Sequence, residues 1–300
     1  MEARIKAVLG TKVLKPTGQY GGGCICQGEV YQTDNGKVFV KTNYSPNARA
    51  MFEGEMASLE AIRSTHTVRT PLPLHVISLE ETGKQGAALV MEALEMTGGK
   101  QCHAKELGIK LARMHDHNRI LIESGDARAQ RRFGFAITTF CGAIPLDNSW
   151  KDDWISFYTQ NRIELQVKMV ETKYGDRQVR ELWTQLEKKV PKFFQGIQIV
   201  PALLHGDLWF GNKAELANES VIFDPGSFFG HAEFEFGIMQ MFGGFSREFY
   251  EGYYSVRPKE NGFERRCNLY ELFHQLNHWN HFGSGYKGST IGLLKRLLAE

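Results

Sequence analysis

The chain has 300 residues, with 36 Lys plus Arg against 34 Asp plus Glu, a formal net charge of +2, and 42% apolar residues. That length and apolar share allow one large domain or two lobes around a sizeable core and exclude global disorder. A balance so near neutral leaves no electrostatic footprint for nucleic acid or an anionic membrane. The longest apolar runs, such as 197–204, are too short to span a bilayer. The charged start over 1–6 is unlike a signal peptide. Five scattered cysteines (Cys24, Cys26, Cys102, Cys141, Cys267) with no CxxC argue against a disulfide framework or a zinc site, and for a reducing, cytoplasmic setting.

In chain order, a glycine cluster over 18–23 precedes a β-prone run at 30–33, then Asp34-Asn35-Gly36, then a second run at 37–41. Asn-Gly between two such runs predicts a hairpin with positive φ at both turn residues. Met51, Met56, Leu59 and Ile62 predict an amphipathic helix over 48–63. Pro71 and Pro73 break the chain, and short strands are predicted at 75–79 and 87–91, flanking a loop with Gly83 and Gly86. Beyond residue 98 helices dominate. They are predicted at 104–118, 154–174, 177–194, 234–242, 249–254 and 267–281, with a polar surface loop over 120–132. Short β-like stretches at 202–205 and 221–224 lie between them. The reading is an α+β, two-lobed chain: a β-rich N-lobe over 1–95 and a larger helical C-lobe over 96–300, joined through 92–99.

The densest functional signal is His205-Gly206-Asp207-Leu208-Trp209-Phe210-Gly211-Asn212, followed twelve residues later by Asp224-Pro225. Phosphoryl transfer needs a carboxylate to accept or orient a substrate hydroxyl proton, and oxygen ligands for the magnesium that bridges the phosphates. Asp207 is assigned as the base, Asn212 and Asp224 as metal ligands. Upstream, Gly21, Gly22 and Gly23 form a loop whose N–H groups can approach phosphates closely. Lys41, ending a strand, is placed to touch them. Glu55 in the following helix is its expected partner, preferred over Glu53. Glu92 and Leu94, where the lobes join, are taken as further nucleotide-contacting positions. The cofactors are therefore ATP and Mg²⁺.

These pieces in this order resemble the kinase-like phosphotransferases that include aminoglycoside and choline kinases. Four longer blocks are similar to the fructosamine-3-kinase and ketosamine-3-kinase family: Met51-Phe52-Glu53-Gly54-Glu55, residues 202–209, residues 228–235, and Leu276-Asn277-His278-Trp279-Asn280-His281-Phe282-Gly283. The resemblance runs from about Gly18 to the C-terminus. It implies a two-lobe protein-kinase-like fold and phosphorylation of the 3-hydroxyl of ketosamines, sugar adducts on amines and protein lysines. The phosphorylated adduct then falls apart and frees the amine. Glycated amines and proteins are thus the implied partners, and residues 282–286 look more like the branch that takes ribulosamine and psicosamine. Departures are Cys26 where the family has Ser, and Gly226 where it has Ala in Asp-Pro-Ala, a change expected to loosen the turn.

Other positions keep two readings. Trp209 stacks on a sugar face or packs within the lobe. His278 lines the sugar pocket or is a core histidine. Glu235 is expected to anchor backbone N–H groups of the catalytic turn, and Glu233 is a candidate to hold a cationic substrate amine. Cys24 is a redox-sensitive thiol that blocks loop closure when oxidised, or a small buried residue. A related kinase of another hydroxyl would lack the 277–283 block. A pseudokinase scaffold would lack one of Lys41, Asp207, Asn212 and Asp224, and all four are present. A protein kinase would carry HRD and APE-like motifs, which are missing.

Overall fold

The computed structural model describes residues 1–21, 26–81, 84–97 and 102–300. Gly22, Gly23 and Cys24 lie outside them. Helix α1 (Glu2–Leu9) is followed by β1 (Lys15–Gly21), β2 (Gln27–Thr33), β3 (Gly36–Asn43), α2 (Ala48–Ser64), β4 (Pro73–Glu81) and β5 (Lys84–Glu92). The strands form one antiparallel sheet in the order β1-β2-β3-β5-β4. Alternation along β5 decides what covers each face. Ala88 and Val90 pack with Val38, Val40, Ile77, Leu79 and Ile5 of α1, whereas Ala87, Leu89 and Met91 pack with Ala48, Met51 and Phe52 of α2.

Sequence analysis did not foresee α1 or β1. A single buried residue, Ile5, gives α1 no periodicity to detect, and every residue of β1 is exposed. The hairpin between β2 and β3 differs from expectation. Thr33 faces Gly36, so the loop residues are Asp34 and Asn35, and the positive φ of 111° falls on Gly36. Thr33 Oγ1 closes the turn by accepting from Asn35 N at 3.1 Å and donating to Gly36 O at 2.7 Å. Gly86 lies within β5, opposite Leu79, not in a loop.

The remainder is mostly helical. Helix α3 (Ala104–Ser124) runs through 120–124, part of the stretch expected to be a loop. An Arg119–Glu123 pair at 2.8 Å and the left-handed Gly125 cap carry that extra turn. After β6 (Thr139–Cys141) and β7 (Ile144–Leu146), the run from Trp154 to Tyr174 is one helix in three registers: α4 (Trp154–Ser156), a π-helical stretch (Phe157–Glu164) and α5 (Leu165–Tyr174). Helix α6 (Arg177–Glu187) gives way to a 3₁₀ turn (Val190–Phe194), because Pro191 cannot continue an α ladder. Then come β8 (Ala202–Leu204), β9 (Lys213–Glu215), β10 (Ser220–Ile222), β11 (Phe228–Gly230), α7 (Glu235–Phe242), α8 (Arg247–Val256), α9 (Phe263–Phe282) and α10 (Lys287–Ala299). The two β-like stretches do not pair together: β8 pairs with β11 and β10 with β9.

Main-chain bonds join the sheet-bearing part to the helical part beside the connecting segment. Ile222 N donates to Arg69 O at 3.0 Å and Thr97 N to Glu215 O at 2.8 Å. Among the described residues no helix is long and apolar enough to cross a membrane.

Candidate active site

The loop leaving β8 is held from below by one buried carboxylate. Glu235, at the start of α7, accepts from His205 N at 2.7 Å and Gly206 N at 2.9 Å. Burial alone would raise its carboxyl, but His115 and His205 outweigh burial and hold it below the usual range. The expected anchoring by Glu235 is thus realised in these bonds. Gly206 has φ 85°, and a Cβ there would sit 2.3 Å from Gly226 O, so only glycine lets the two loops touch. The His205 ring ties the same two loops: Nε2 donates to Phe223 O at 2.9 Å and Nδ1 accepts from Asp207 N at 3.3 Å. Burial lowers its pKa and favours that neutral tautomer.

Asp207 follows, half-buried. Burial, then the Asp224 and Glu235 charges, push its carboxyl well above the usual range. Asn212 Nδ2 donates to Asp207 O at 2.8 Å, so its amide oxygen is turned away from that carbonyl. Asp224 sits at φ 59°, one of two non-glycine residues described with positive φ; Asp is among the residues that tolerate it.

Lys41 projects from β3 into this corner. Its Nζ lies 2.8 Å from both Glu55 oxygens and 2.9 Å from Asp224 Oδ1. Lys41 is 5% exposed and Glu55 8%. Burial opposes the Lys41 charge, but Asp224 and Glu55 outweigh it and keep the ammonium protonated far above its normal range. Burial pushes the Glu55 carboxyl up to about 7 against the pull of Lys41. The rival Glu53 instead pairs with Arg49 at 2.7 Å on the surface.

A cavity of about 310 Å³ opens over these groups. Lys41, Glu55, Asp207, Trp209, Asn212, Asp224 and His278 all line it, as do Asn277, His281 and Phe282. Trp209 also packs on Phe242, whose ring in turn lies tilted against His278, so the indole takes part in both the wall and the packing. His281 Nε2 accepts from Ala143 N at 2.9 Å, fastening α9 to the β6–β7 turn. Glu233 is not part of this wall. Its oxygens take Arg266 Nε at 2.6 Å and Nη2 at 2.8 Å. Gly21 is exposed at the end of β1, and neither it, Glu92 nor Leu94 lines the cavity. The Glu92 carboxylate is committed to Arg69 and, at 3.0 Å, to Leu72 N. Gly226 is tightly packed, not loosened: a Cβ there would lie 2.3 Å from Phe140 O.

Sequence reasoning missed Cys141, Phe140 and Gly142 of the cavity wall, which come from a short hairpin with no polar motif to mark it. It also missed Tyr286, although that residue follows closely on the 276–283 block.

The fructosamine kinase family model matches residues 1–300. A ketosamine-3-kinase from Mus musculus is 50% identical over 311 residues, covering 99% of each chain. A chloroplastic protein-ribulosamine 3-kinase from Arabidopsis thaliana is 42% identical over 278 residues, covering 92% of this chain and 81% of that one. Among solved structures, one from Haemophilus somnus described as a fructosamine-3-kinase superposes with a TM-score of 0.81 at 22% identity, covering 98% of this chain and 95% of that one. The fold, the cavity and these likenesses together place the chain in the fructosamine kinase family.

Proposed function

We propose that the protein transfers the γ-phosphoryl group of ATP to the 3-hydroxyl of a ketosamine, with ribulosamine and psicosamine adducts on amines or protein lysines as first candidates. The carrying observation is that Asn277, His278, His281 and Phe282 line the same cavity as Lys41, Asp207 and Asp224. The block that separates this family from other kinase-like phosphotransferases therefore faces the phosphoryl-transfer residues. The names of the Mus musculus and Arabidopsis relatives support the same substrate class.

Within that reading, Asp207 receives or orients the 3-hydroxyl proton. A carboxyl whose pKa is raised by burial is a stronger base than one in water. Lys41, held charged by Glu55 and Asp224, offers its ammonium to the phosphates. The oxygens of Asn212 and Asp224 are hard donors that suit Mg²⁺, which supplies neutralisation of phosphate charge when bound. Trp209 and His278 take the sugar. Removing the hydroxyl proton as the phosphoryl group arrives places phosphate beside the ketone carbon; elimination of that phosphate, followed by hydrolysis of the resulting imine by water, frees the amine.

A panel of synthetic ketosamines with ATP and magnesium, read by mass, tests this. Phosphate on ribulosamine or psicosamine conjugates is expected. Transfer to aminoglycosides or choline in their place would overturn the reading. Alanine at Trp209 or His278 should raise the ketosamine KM or lower kcat/KM and leave nucleotide affinity alone.

A further inference from the structure

Cysteine spacing gives no zinc motif, yet the fold assembles three donors from distant segments. Cys141 of β6, Asp207 of the catalytic loop and His274 of α9 each offer an atom, and these atoms lie within 4.8 Å of one another. Cys141 is 2% exposed and His274 is completely buried. Neither ring nitrogen of His274 has a hydrogen-bond partner. Its neighbours are the rings of Phe234 and Phe273, which cannot supply one. A buried imidazole with both nitrogens unsatisfied is costly and calls for an explanation. Here the unpartnered ring stands beside a thiol and a carboxylate.

We propose that Cys141, Asp207 and His274 form an inhibitory site for a borderline-soft divalent cation, zinc in the first place. The donor set decides the metal. Sulfur, imidazole and one carboxylate are the ligands that zinc takes, at about 2.3, 2.0 and 2.1 Å, with a fourth position left to water. Donors around a tetrahedral zinc stand roughly 3.5 Å apart, so side-chain rotations of about an ångström close the present cluster. Magnesium does not compete, because it prefers the oxygens of Asn212 and Asp224. Cys141 and Asp207 line the cavity, which gives the ion a way in. Once bound, zinc takes the Asp207 carboxylate away from the substrate hydroxyl. Binding stands on the donor geometry alone; inhibition rests on the role proposed for Asp207.

The test uses the full-length, metal-stripped protein with Co²⁺ as a spectroscopic probe and Zn²⁺ as competitor, in excess Mg²⁺. The expected result is one Co²⁺ with a thiolate-to-cobalt charge-transfer band that Mg²⁺ leaves and Zn²⁺ abolishes. Cys141→Ser should lose the band. His274→Gln should weaken Co²⁺ binding by more than the ~10–100-fold that follows loss of an outer-shell partner. Asp224→Ala should keep both, which separates this site from the proposed magnesium site. Zinc should inhibit the wild type, and inhibition relative to its own zinc-free rate should vanish in Cys141→Ser. A wild type without the band overturns the proposal, as does a band that survives Cys141→Ser or full affinity in His274→Gln. Should a melting scan show His274→Gln unfolded, Asp207→Asn takes its place, and unchanged Co²⁺ affinity there overturns it equally. Binding as described without inhibition would retain the site and refute the role of Asp207.

Discussion

Ser58 Oγ accepts a 3.0 Å hydrogen bond from Ser227 N and donates to Gly54 O at 2.7 Å. Ser58 stands one turn beyond Glu55 in α2, and Ser227 three residues beyond Asp224, so one hydroxyl spaces the two carboxylates that hold Lys41. Ser58→Ala leaves a buried N–H without an acceptor, which costs about 1–3 kcal/mol. Urea unfolding should show that loss, with a fall in kcat as Lys41 drifts. An unchanged midpoint would show that this bond contributes nothing.

Asp207→Asn should keep the fold and nucleotide binding and cut turnover by ~10²–10⁴-fold, the usual loss of a positioned base. Steady-state kinetics at saturating ketosamine provides the check. Near-wild-type turnover would remove Asp207 from the mechanism.

Asp224→Ala removes one proposed magnesium oxygen and one of the two carboxylates on Lys41. Nucleotide at ~100 times its Kd stabilises a protein by ~2.7 kcal/mol. The rise in melting temperature with Mg-ATP should disappear in this variant and persist in Asp207→Asn. An equal rise in both would reject the metal role.

Gly226→Ala would place a methyl 2.3 Å from the Phe140 carbonyl oxygen. Neither partner is a flexible side-chain end, so β6 or the Asp224 loop must shift. Overpacking of this kind costs about 1–3 kcal/mol, measurable by chemical unfolding. An alanine variant of equal stability would mean that the two loops separate freely.

The His205 ring should be neutral, protonated at Nε2, at pH 6.5, where an exposed imidazole would be about half protonated. Phe223 O can only accept and Asp207 N can only donate. A histidine whose folded pKa is depressed contributes stability above its unfolded value of about 6.5 and loses it as pH falls further. Long-range ¹⁵N–¹H spectra report the tautomer directly. A ring that titrates near 6.5 would contradict the burial described.

Much of the site was legible because its chemistry is carried by short contiguous motifs. The spacing from Asp207 to Asn212 survives folding, and Lys41 meets Glu55 because a strand end and the second turn of α2 face each other. What stayed hidden depends on long-range contact. Cys141 and His274 are 133 positions apart in sequence and mean nothing until β6 lies beside α9. The assignment of Glu92 did not foresee Arg69, which claims its carboxylate from 23 residues away. Helix α10 was not foreseen either, although Thr290, Ile291, Leu294 and Leu297 recur at helical spacing and are buried. Residues 120–124, mostly Ile and Leu, were misjudged because they were read together with the polar stretch that follows Gly125, where the helix ends.

The main-chain bonds from Ile222 to Arg69 and from Thr97 to Glu215 hold the sheet-bearing part to the helical part along its β5 side. They fasten the two parts near the place where β5 ends, so a small rotation about that line would move the sheet most at its far edge. In the order β1-β2-β3-β5, β1 lies three strands away from that line, roughly 14 Å at the usual strand spacing. A rotation that scarcely disturbed Arg69 would carry β1 through the widest arc. The sheet edge farthest from the fastening is the one that the smallest turn displaces furthest.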